Sequence, residues 1–201
     1  MEVPGLGQVS ATEALGVLFA VAYLVLAVRQ NILCWPAALI SSVLSVVVMF
    51  EARLYSESAL QVFYAGMAVY GWYQWRSGAG PSRADRELPI STWPLRAHAL
   101  AIGGTVAASA ALGWLMSRTS AAYPYLDAFV TVASLITTYM VAKKILENWI
   151  YWFVIDGLSA YLYVTRGLSL YAWLFALYLV LIVIGFYRWR RDFRAQPALA
   201  S

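Results

Sequence analysis

The stretch Glu147 to Asp156, E-N-W-I-Y-W-F-V-I-D, sets an amide, two indoles and a carboxylate inside an apolar run. That run extends from Asn148 to Thr165 with Asp156 as its only charge. Helical spacing puts Asn148, Trp152 and Asp156 on one face, continued by Ser159 and Tyr163. A run this long and this apolar reads as a transmembrane helix. A carboxylate midway along such a helix costs roughly 2.5–3.5 kcal/mol on insertion scales, so it is expected to face a cavity or a partner. The neighbouring rings suit that cavity to a flat small molecule, cationic rings included.

The rest of the chain has the same character. Of 201 residues, 62% are hydrophobic and 12% charged, and the mean hydropathy is +0.68. A soluble domain carries about 25% charged and about 45–50% apolar residues. The excess excludes a soluble core and implies an integral membrane protein. The lone Cys34 excludes an internal disulfide and a cysteine metal site, so neither metal nor cofactor is expected. The single histidine, His98, lies beside Arg96 at a segment edge and is expected at the interface. The net charge of +4 follows the membrane and points to no nucleic acid. Met1 to Thr12 contains no Lys or Arg, unlike the basic region of a signal peptide, so the first apolar run is expected to be retained.

Seven apolar runs are near the roughly 20 residues needed to span hydrocarbon: 12–29, 32–50, 57–75, 97–116, 125–142, 147–165 and 168–188. Pro36 and Pro124 fall near segment starts, where a missing N–H costs little. The fold class expected is an all-α membrane protein. Residues 12–76 form a first three-helix bundle, 77–96 a cytoplasmic linker, 97–116 a linker helix, 125–190 a second bundle and 191–201 a cytoplasmic tail. One side of the membrane receives Arg29, Arg76, Arg83, Arg86, Arg96, Lys143, Lys144, Arg188, Arg190, Arg191 and Arg194; the other receives Arg53, Arg118 and Arg166. An 11-to-3 split of this kind puts the N-terminus outside and the C-terminus in the cytoplasm.

The first three spans resemble the last three. Asn31 and Trp35 match Asn148 and Trp152, while Gly71-Trp72-Tyr73-Gln74-Trp75-Arg76 matches Gly185-Phe186-Tyr187-Arg188-Trp189-Arg190. The offset is 117 residues at the start and 114 at the end, so one loop is expected to differ by three residues. Two three-helix units separated by one helix share an orientation, giving a 3+1+3 parallel repeat with substrate between the bundles. Facing stripes fit that site. They are Asp127, Thr131, Ser134 and Thr138 on the fifth span, Asn31, Trp35, Ala38, Ser42 and Ser45 on the second, and Gln61, Tyr64, Ala68 and Gly71 on the third. Ala38, Ser45, Ala68 and Gly71 also suit plain helix packing. Trp72, Trp75 and Trp189 are expected in the interfacial aromatic belt, whereas Trp149, beside the opening motif, is a site candidate.

Leu54 to Trp75, L-Y-S-E-S-A-L-Q-V-F-Y-A-G-M-A-V-Y-G-W-Y-Q-W, resembles the third-helix signature of the PnuC family of vitamin transporters. D-A-F-V-T-V-A-S (Asp127 to Ser134) and the K-K-I-L-E-N-W-I-Y-W-F-V-I-D run resemble that family's fifth and sixth helices. The resemblance extends from about Glu13 to Arg191 and implies a seven-helix, 3+1+3, SWEET-like fold with a different helix order in the bundle. It implies facilitated uptake of a vitamin across the bacterial inner membrane, trapped by a cytoplasmic kinase. Nicotinamide riboside is the first substrate it suggests; thiamine, riboflavin and deoxynucleosides are carried by relatives. The substrate-binding set carried over or inferred is Trp152, Asp156, Asn148, Gln61, Tyr64, Trp35, Trp149, Thr131 and Thr138. The departure is Asp156, where nicotinamide riboside members carry asparagine. A carboxylate there suits either the pyridinium of nicotinamide riboside or the thiazolium of thiamine.

An intramembrane hydrolase needs a nucleophile, a base and an oxyanion hole within reach of one another. His98 sits at a helix edge and no Gly-x-Ser-x-Gly elbow is present, so no enzymatic activity is expected. A proton-coupled transporter using Asp156 as carrier is the nearer alternative. No ATP-binding element occurs, which excludes primary active transport by this chain alone. The expected partners are the vitamin, the lipid bilayer and the kinase, with self-association into a homo-oligomer left open.

Overall fold

A computed structural model of the chain describes residues 11–51, 55–77, 88–118, 123–165 and 169–196. Arg53, Arg83, Arg86, Arg166, the side chain of Tyr163 and the 78–87 part of the linker fall outside the described residues. Seven α-helices make up the described chain: α1 (Ala11–Val28), α2 (Cys34–Glu51), α3 (Tyr55–Ser77), α4 (Leu95–Met116), α5 (Pro124–Ala142), α6 (Asn148–Thr165) and α7 (Ser169–Ala195). Each predicted span coincides with one helix. The largest difference is at α7, which continues to Ala195, so residues 191–195 are helical rather than tail.

Local chemistry sets several boundaries. Pro124 occupies the first turn of α5, where its missing N–H is not needed. Pro94 precedes α4 in extended conformation (φ −69°, ψ 154°). The α1–α2 turn is closed by Gln30 at φ 54° and the α5–α6 turn by Lys144 at φ 50°. Left-handed backbone at a non-glycine residue is uncommon, and it occurs here in both turns at positions 114 apart.

The helices join into a ring. α1 packs on α2, α2 on α3, α3 on α5, α5 on α6, α6 on α7, and α7 closes back onto α1. α4 lies outside this ring, packed mainly on α5, to which it presents Thr105, Ser109 and Gly113, and touching α6 through His98 and Tyr151. Small residues at that face allow close approach; a Cβ on Gly113 would collide with Tyr125. Leu18, Leu100, Val106, Trp173 and Val180 face outward and exposed, a distribution suited to lipid rather than water. Among the described residues, Leu95–Met116, Pro124–Ala142 and Trp173–Ala195 are long and apolar enough to cross a membrane.

The equivalence between the two halves runs at one offset. α2 starts at Cys34 and α6 at Asn148, 114 residues apart, the same separation as the turn residues Gln30 and Lys144. Trp35 therefore corresponds to Trp149, not to Trp152, and the predicted three-residue loop difference is absent. Packing gives the reason. The Trp35 ring lies against Gly71 and the Trp149 ring against Gly185, each filling the space that a Cβ would occupy. Trp152 has no such partner among the described glycines and is half-buried.

The core follows this symmetry. Trp35 meets Trp75 edge-on at 5.4 Å and 89°, and Trp149 meets Trp189 at 5.4 Å and 84°. Trp75 and Trp189 meet each other at 6.1 Å, completing a four-indole chain across the ring. Trp75 and Trp189 are thus buried rather than interfacial, correcting the aromatic-belt expectation. Their N–H groups explain why. Trp75 Nε1 donates to the Val141 carbonyl at 3.3 Å and Trp189 Nε1 to the Ala27 carbonyl at 3.0 Å. Each bond ties a helix of one half to a helix of the other, and buried indoles need such partners.

Candidate functional site

The ring encloses a cavity of about 390 Å³ to which all six of its helices contribute. Small-molecule sites span roughly 300–1,000 Å³, so the size is sufficient. α6 supplies one wall: Asn148, Trp149, Trp152, Asp156 and Ser159 all line it, as the helical spacing requires. α3 supplies Gln61 and Tyr64, α2 supplies Trp35, and α5 supplies Ser134 and Thr138. Of the residues singled out from sequence, Thr131 and the stripe residues Asn31, Gly71 and Asp127 do not line the cavity; Thr131 is half-buried on α5. On α5 the lining positions are Val130, Ser134, Thr138 and Val141, and Thr131 is turned about 100° around the axis from Val130.

Several hydroxyls in this wall are already engaged. Thr138 Oγ1 donates to the Ser134 carbonyl at 2.7 Å, and Ser159 Oγ donates to the Ile155 carbonyl at 3.0 Å. Bonding back to the preceding turn is the usual solution for a hydroxyl in an apolar helix. It spends the proton but leaves lone pairs available, so Thr138 and Ser159 meet a ligand as acceptors. Asn148 Nδ2 donates to the Ile145 carbonyl, anchoring the start of α6. Its Oδ1 is buried without a partner, as are Trp35 Nε1 and Trp149 Nε1. An unmade hydrogen bond in a buried group costs about 1–3 kcal/mol, which a ligand or ordered water in the cavity would recover.

Asp156 is buried at the middle of α6, and Tyr64 and Tyr178 lie within its electrostatic reach. Trp152 stands one helical turn away on the same wall. A ring stacked on Trp152 therefore approaches the carboxylate, and a cationic ring gains from both groups. Tyr23, Ser41, Phe175 and Tyr178 also line the cavity without having been anticipated. Tyr178 sits in a long apolar helix with no polar periodicity around it. Only the ring closure between α7 and α1 reveals that it faces inward.

His98, expected at the interface, is half-buried outside this cavity. Its Nδ1 lies 2.8 Å from the Tyr151 hydroxyl, and its ring packs between Trp93 and Tyr151. Among the described residues no group of three His, Cys, Asp or Glu side chains is placed to hold a metal.

An apolar ring of helices around an aromatic, carboxylate-bearing cavity is the architecture of a membrane protein with room for a small molecule between its helices. The nicotinamide mononucleotide transporter family model matches residues 10–191, and the chain belongs to that family. It is 25% identical over 189 residues to the riboflavin/roseoflavin transporter RibM of Streptomyces davaonensis, covering 91% of this chain and 88% of that one. It is 24% identical over 183 residues to the nicotinamide riboside transporter PnuC of Escherichia coli, covering 80% of this chain and 77% of that one. The crystal structure of the vitamin B3 transporter PnuC shares its fold, with a TM-score of 0.73 at 20% identity over 92% of this chain and 82% of that one. The chain is a multi-pass membrane transporter of the vitamin-carrying type.

Proposed function

We propose that this chain facilitates vitamin uptake across the bacterial cytoplasmic membrane, with nicotinamide riboside as substrate and a cytoplasmic kinase trapping the product. The observation that carries the proposal is the placement of Trp152 and Asp156 one turn apart on the wall of the cavity that the α3 pair Gln61 and Tyr64 also lines. An indole face and a carboxylate together favour a flat cation, which the pyridinium of nicotinamide riboside supplies. Gln61, the free Asn148 oxygen and the engaged hydroxyls of Thr138 and Ser159 suit the hydroxyls of a ribose. Thiamine is the second reading, because its thiazolium uses the same carboxylate. Riboflavin, suggested by the resemblance to RibM, carries no cationic ring to use it.

In this reading the two halves act as a 3+1+3 parallel repeat, with the cavity alternately open to either side. The 114-residue equivalence of helices, turns and indole contacts supports that arrangement. The basic residues concentrate at the end carrying the α1–α2 and α5–α6 turns, which supports a cytoplasmic location for that end and for the C-terminus. Among the described residues Asp156 is the only carboxylate lining the cavity. That favours passive flux over exchange of protons or sodium between paired acids.

Calorimetric titration of the purified protein tests the substrate assignment. Nicotinamide riboside is expected to bind more tightly than riboflavin, and Asp156→Asn to weaken thiamine far more than nicotinamide riboside. Binding of riboflavin alone would overturn the assignment to a cationic substrate.

A further inference from the structure

The two turns that close one end of the helix ring have the same backbone and unequal surroundings. Gln30 N donates to the Ala27 carbonyl and Lys144 N to the Val141 carbonyl, both at 3.0 Å. Asn31 N donates to the Leu26 carbonyl at 3.0 Å and Ile145 N to the Met140 carbonyl at 2.9 Å. Beyond these shared bonds the turns diverge. In the α1–α2 turn, Arg29, Asn31 and Leu33 are exposed, and the Asn31 side chain caps its own turn by accepting from Leu33 N at 2.9 Å. In the α5–α6 turn, Lys144, Ile145 and Leu146 are all buried.

The extended segment 88–93 that leads into α4 runs along this turn, whereas the Lys144 side chain reaches the seam between the halves, with Nζ 4.6 Å from the centroid of the Trp75 ring. Ser91 pairs with Ile145 in a parallel bridge: its N–H donates to the Lys144 carbonyl at 3.0 Å, and its carbonyl accepts from Leu146 N at 2.8 Å. Ile90 inserts into the core at 3% exposure. Trp93 N donates to Glu147 Oε2 at 3.3 Å. At the end of α7, the Gln196 amide brackets Ile90, donating to its carbonyl at 3.1 Å and accepting from its N–H at 2.9 Å in the orientation that satisfies both. The segment thus fastens the α5–α6 turn to the end of α7.

Every bond in that set joins the segment to the second half of the chain. The seam between halves is closed by a different set. Lys144 Nζ donates to Gln30 Oε1 at 3.3 Å, Gln30 Nε2 to Asp192 Oδ2 at 2.9 Å, and Lys143 Nζ to Gln74 Oε1 at 3.2 Å. The reciprocal bonds of Trp75 and Trp189 lie alongside. We propose that residues 88–93 form a strap that makes the α5–α6 turn the static half of a gate, and that the α1–α2 turn is the half that moves when this end opens. The proposal rests on the transport reading above. Opening then breaks the seam bonds and none of the strap bonds, so otherwise equivalent halves play different parts in the cycle.

Two cysteine pairs joined by a short, reductively cleavable bifunctional thiol reagent test this in proteoliposomes. Cys34 is fully buried and stays in place, with reagent-treated parent protein as control. The strap pair is Trp93→Cys with Glu147→Cys; the seam pair is Gln74→Cys with Lys143→Cys. Cross-linking the strap is expected to leave nicotinamide riboside or thiamine flux within about twofold, and cross-linking the seam to lower it at least tenfold until the link is cleaved. Flux lost with the strap linked, or retained with the seam linked, overturns the inference. Absence of vitamin flux from the parent protein would sink the transport reading instead. Hydrogen exchange then decides the inference alone: amides at Asn31 to Leu33 exchange at least tenfold faster than those at Ile145 and Leu146, and equal rates overturn it.

Discussion

Replacing Gly71 or Gly185 by alanine probes the packing that holds the cavity floor. A Cβ on Gly71 would overlap the six-membered ring of Trp35, and one on Gly185 would lie 2.6 Å from Trp149 Cη2. Neither indole is free to retreat. Trp35 is 1% and Trp149 2% exposed, and each is held edge-on at 5.4 Å by the next tryptophan. Overpacking a core in this way costs about 1–3 kcal/mol. Because neither ring can retreat, the cost lies in the upper part of that range, about 2–3 kcal/mol. Once alanine returns up to about 1 kcal/mol of helix propensity, the net loss is about 1–2 kcal/mol. Gly66 lies on the same helix as Gly71, and a Cβ there meets nothing within 4 Å, so Gly66→Ala keeps the propensity gain without the clash. At about 2–4 °C per kcal/mol for a chain of this size, Gly71→Ala and Gly185→Ala should melt about 2–8 °C below the parent. Gly66→Ala should melt at or slightly above it. The assay is thermal unfolding of the purified protein in detergent, followed by tryptophan fluorescence. If Gly71→Ala and Gly185→Ala melt as high as Gly66→Ala, the indole–glycine packing is wrong. If only one of the pair is destabilised, the 114-residue equivalence fails at the core.

Other perturbations separate the remaining parts of the account. Trp152→Ala should weaken vitamin binding about tenfold or more, since cation–π contact is worth about 0.5–2 kcal/mol and 1.4 kcal/mol is tenfold in Kd; unchanged titration curves would remove Trp152 from the site. Trp75→Phe and Trp189→Phe each lose one hydrogen bond across the seam, worth about 0.5–1.5 kcal/mol, and should lower the melting temperature by similar amounts. A large effect from one and none from the other would contradict their reciprocal roles. Tyr151→Phe removes the partner of His98 Nδ1 outside the cavity, so it should cost stability while leaving vitamin affinity within about twofold; a tenfold loss of affinity would place Tyr151 in the site.

The parts legible in the sequence were those written within single helices. The apolar runs located every described helix, and the α6 spacing alone brought Asn148, Trp152, Asp156 and Ser159 to the cavity. Gln61 and Tyr64 followed from α3 in the same way, and Trp35, Trp149 and Thr138 also line it. Features created between helices were not legible. Trp149 and Trp152 lie three residues apart in one motif, so either could be aligned with Trp35; only the glycine behind each ring resolves the choice. Trp75 and Trp189 resemble interfacial tryptophans because their partners are backbone carbonyls, which carry no sequence signal. The strap residues Ile90 and Ser91 sit in a Pro-containing polar stretch, and their pairing with Ile145 spans more than fifty residues. Thr131 lies off the lining for another reason: helical periodicity placed it on a polar face, but the α5 residues that line the cavity are Val130, Ser134, Thr138 and Val141.

The central claim is that this chain is a passive conduit for a vitamin. The most direct test is flux of labelled nicotinamide riboside into proteoliposomes holding the purified protein alone, without kinase, with and without imposed proton and sodium gradients. The account predicts uptake that stops when inside and outside concentrations are equal, under every gradient. Accumulation above the outside concentration, driven by either gradient, would contradict it.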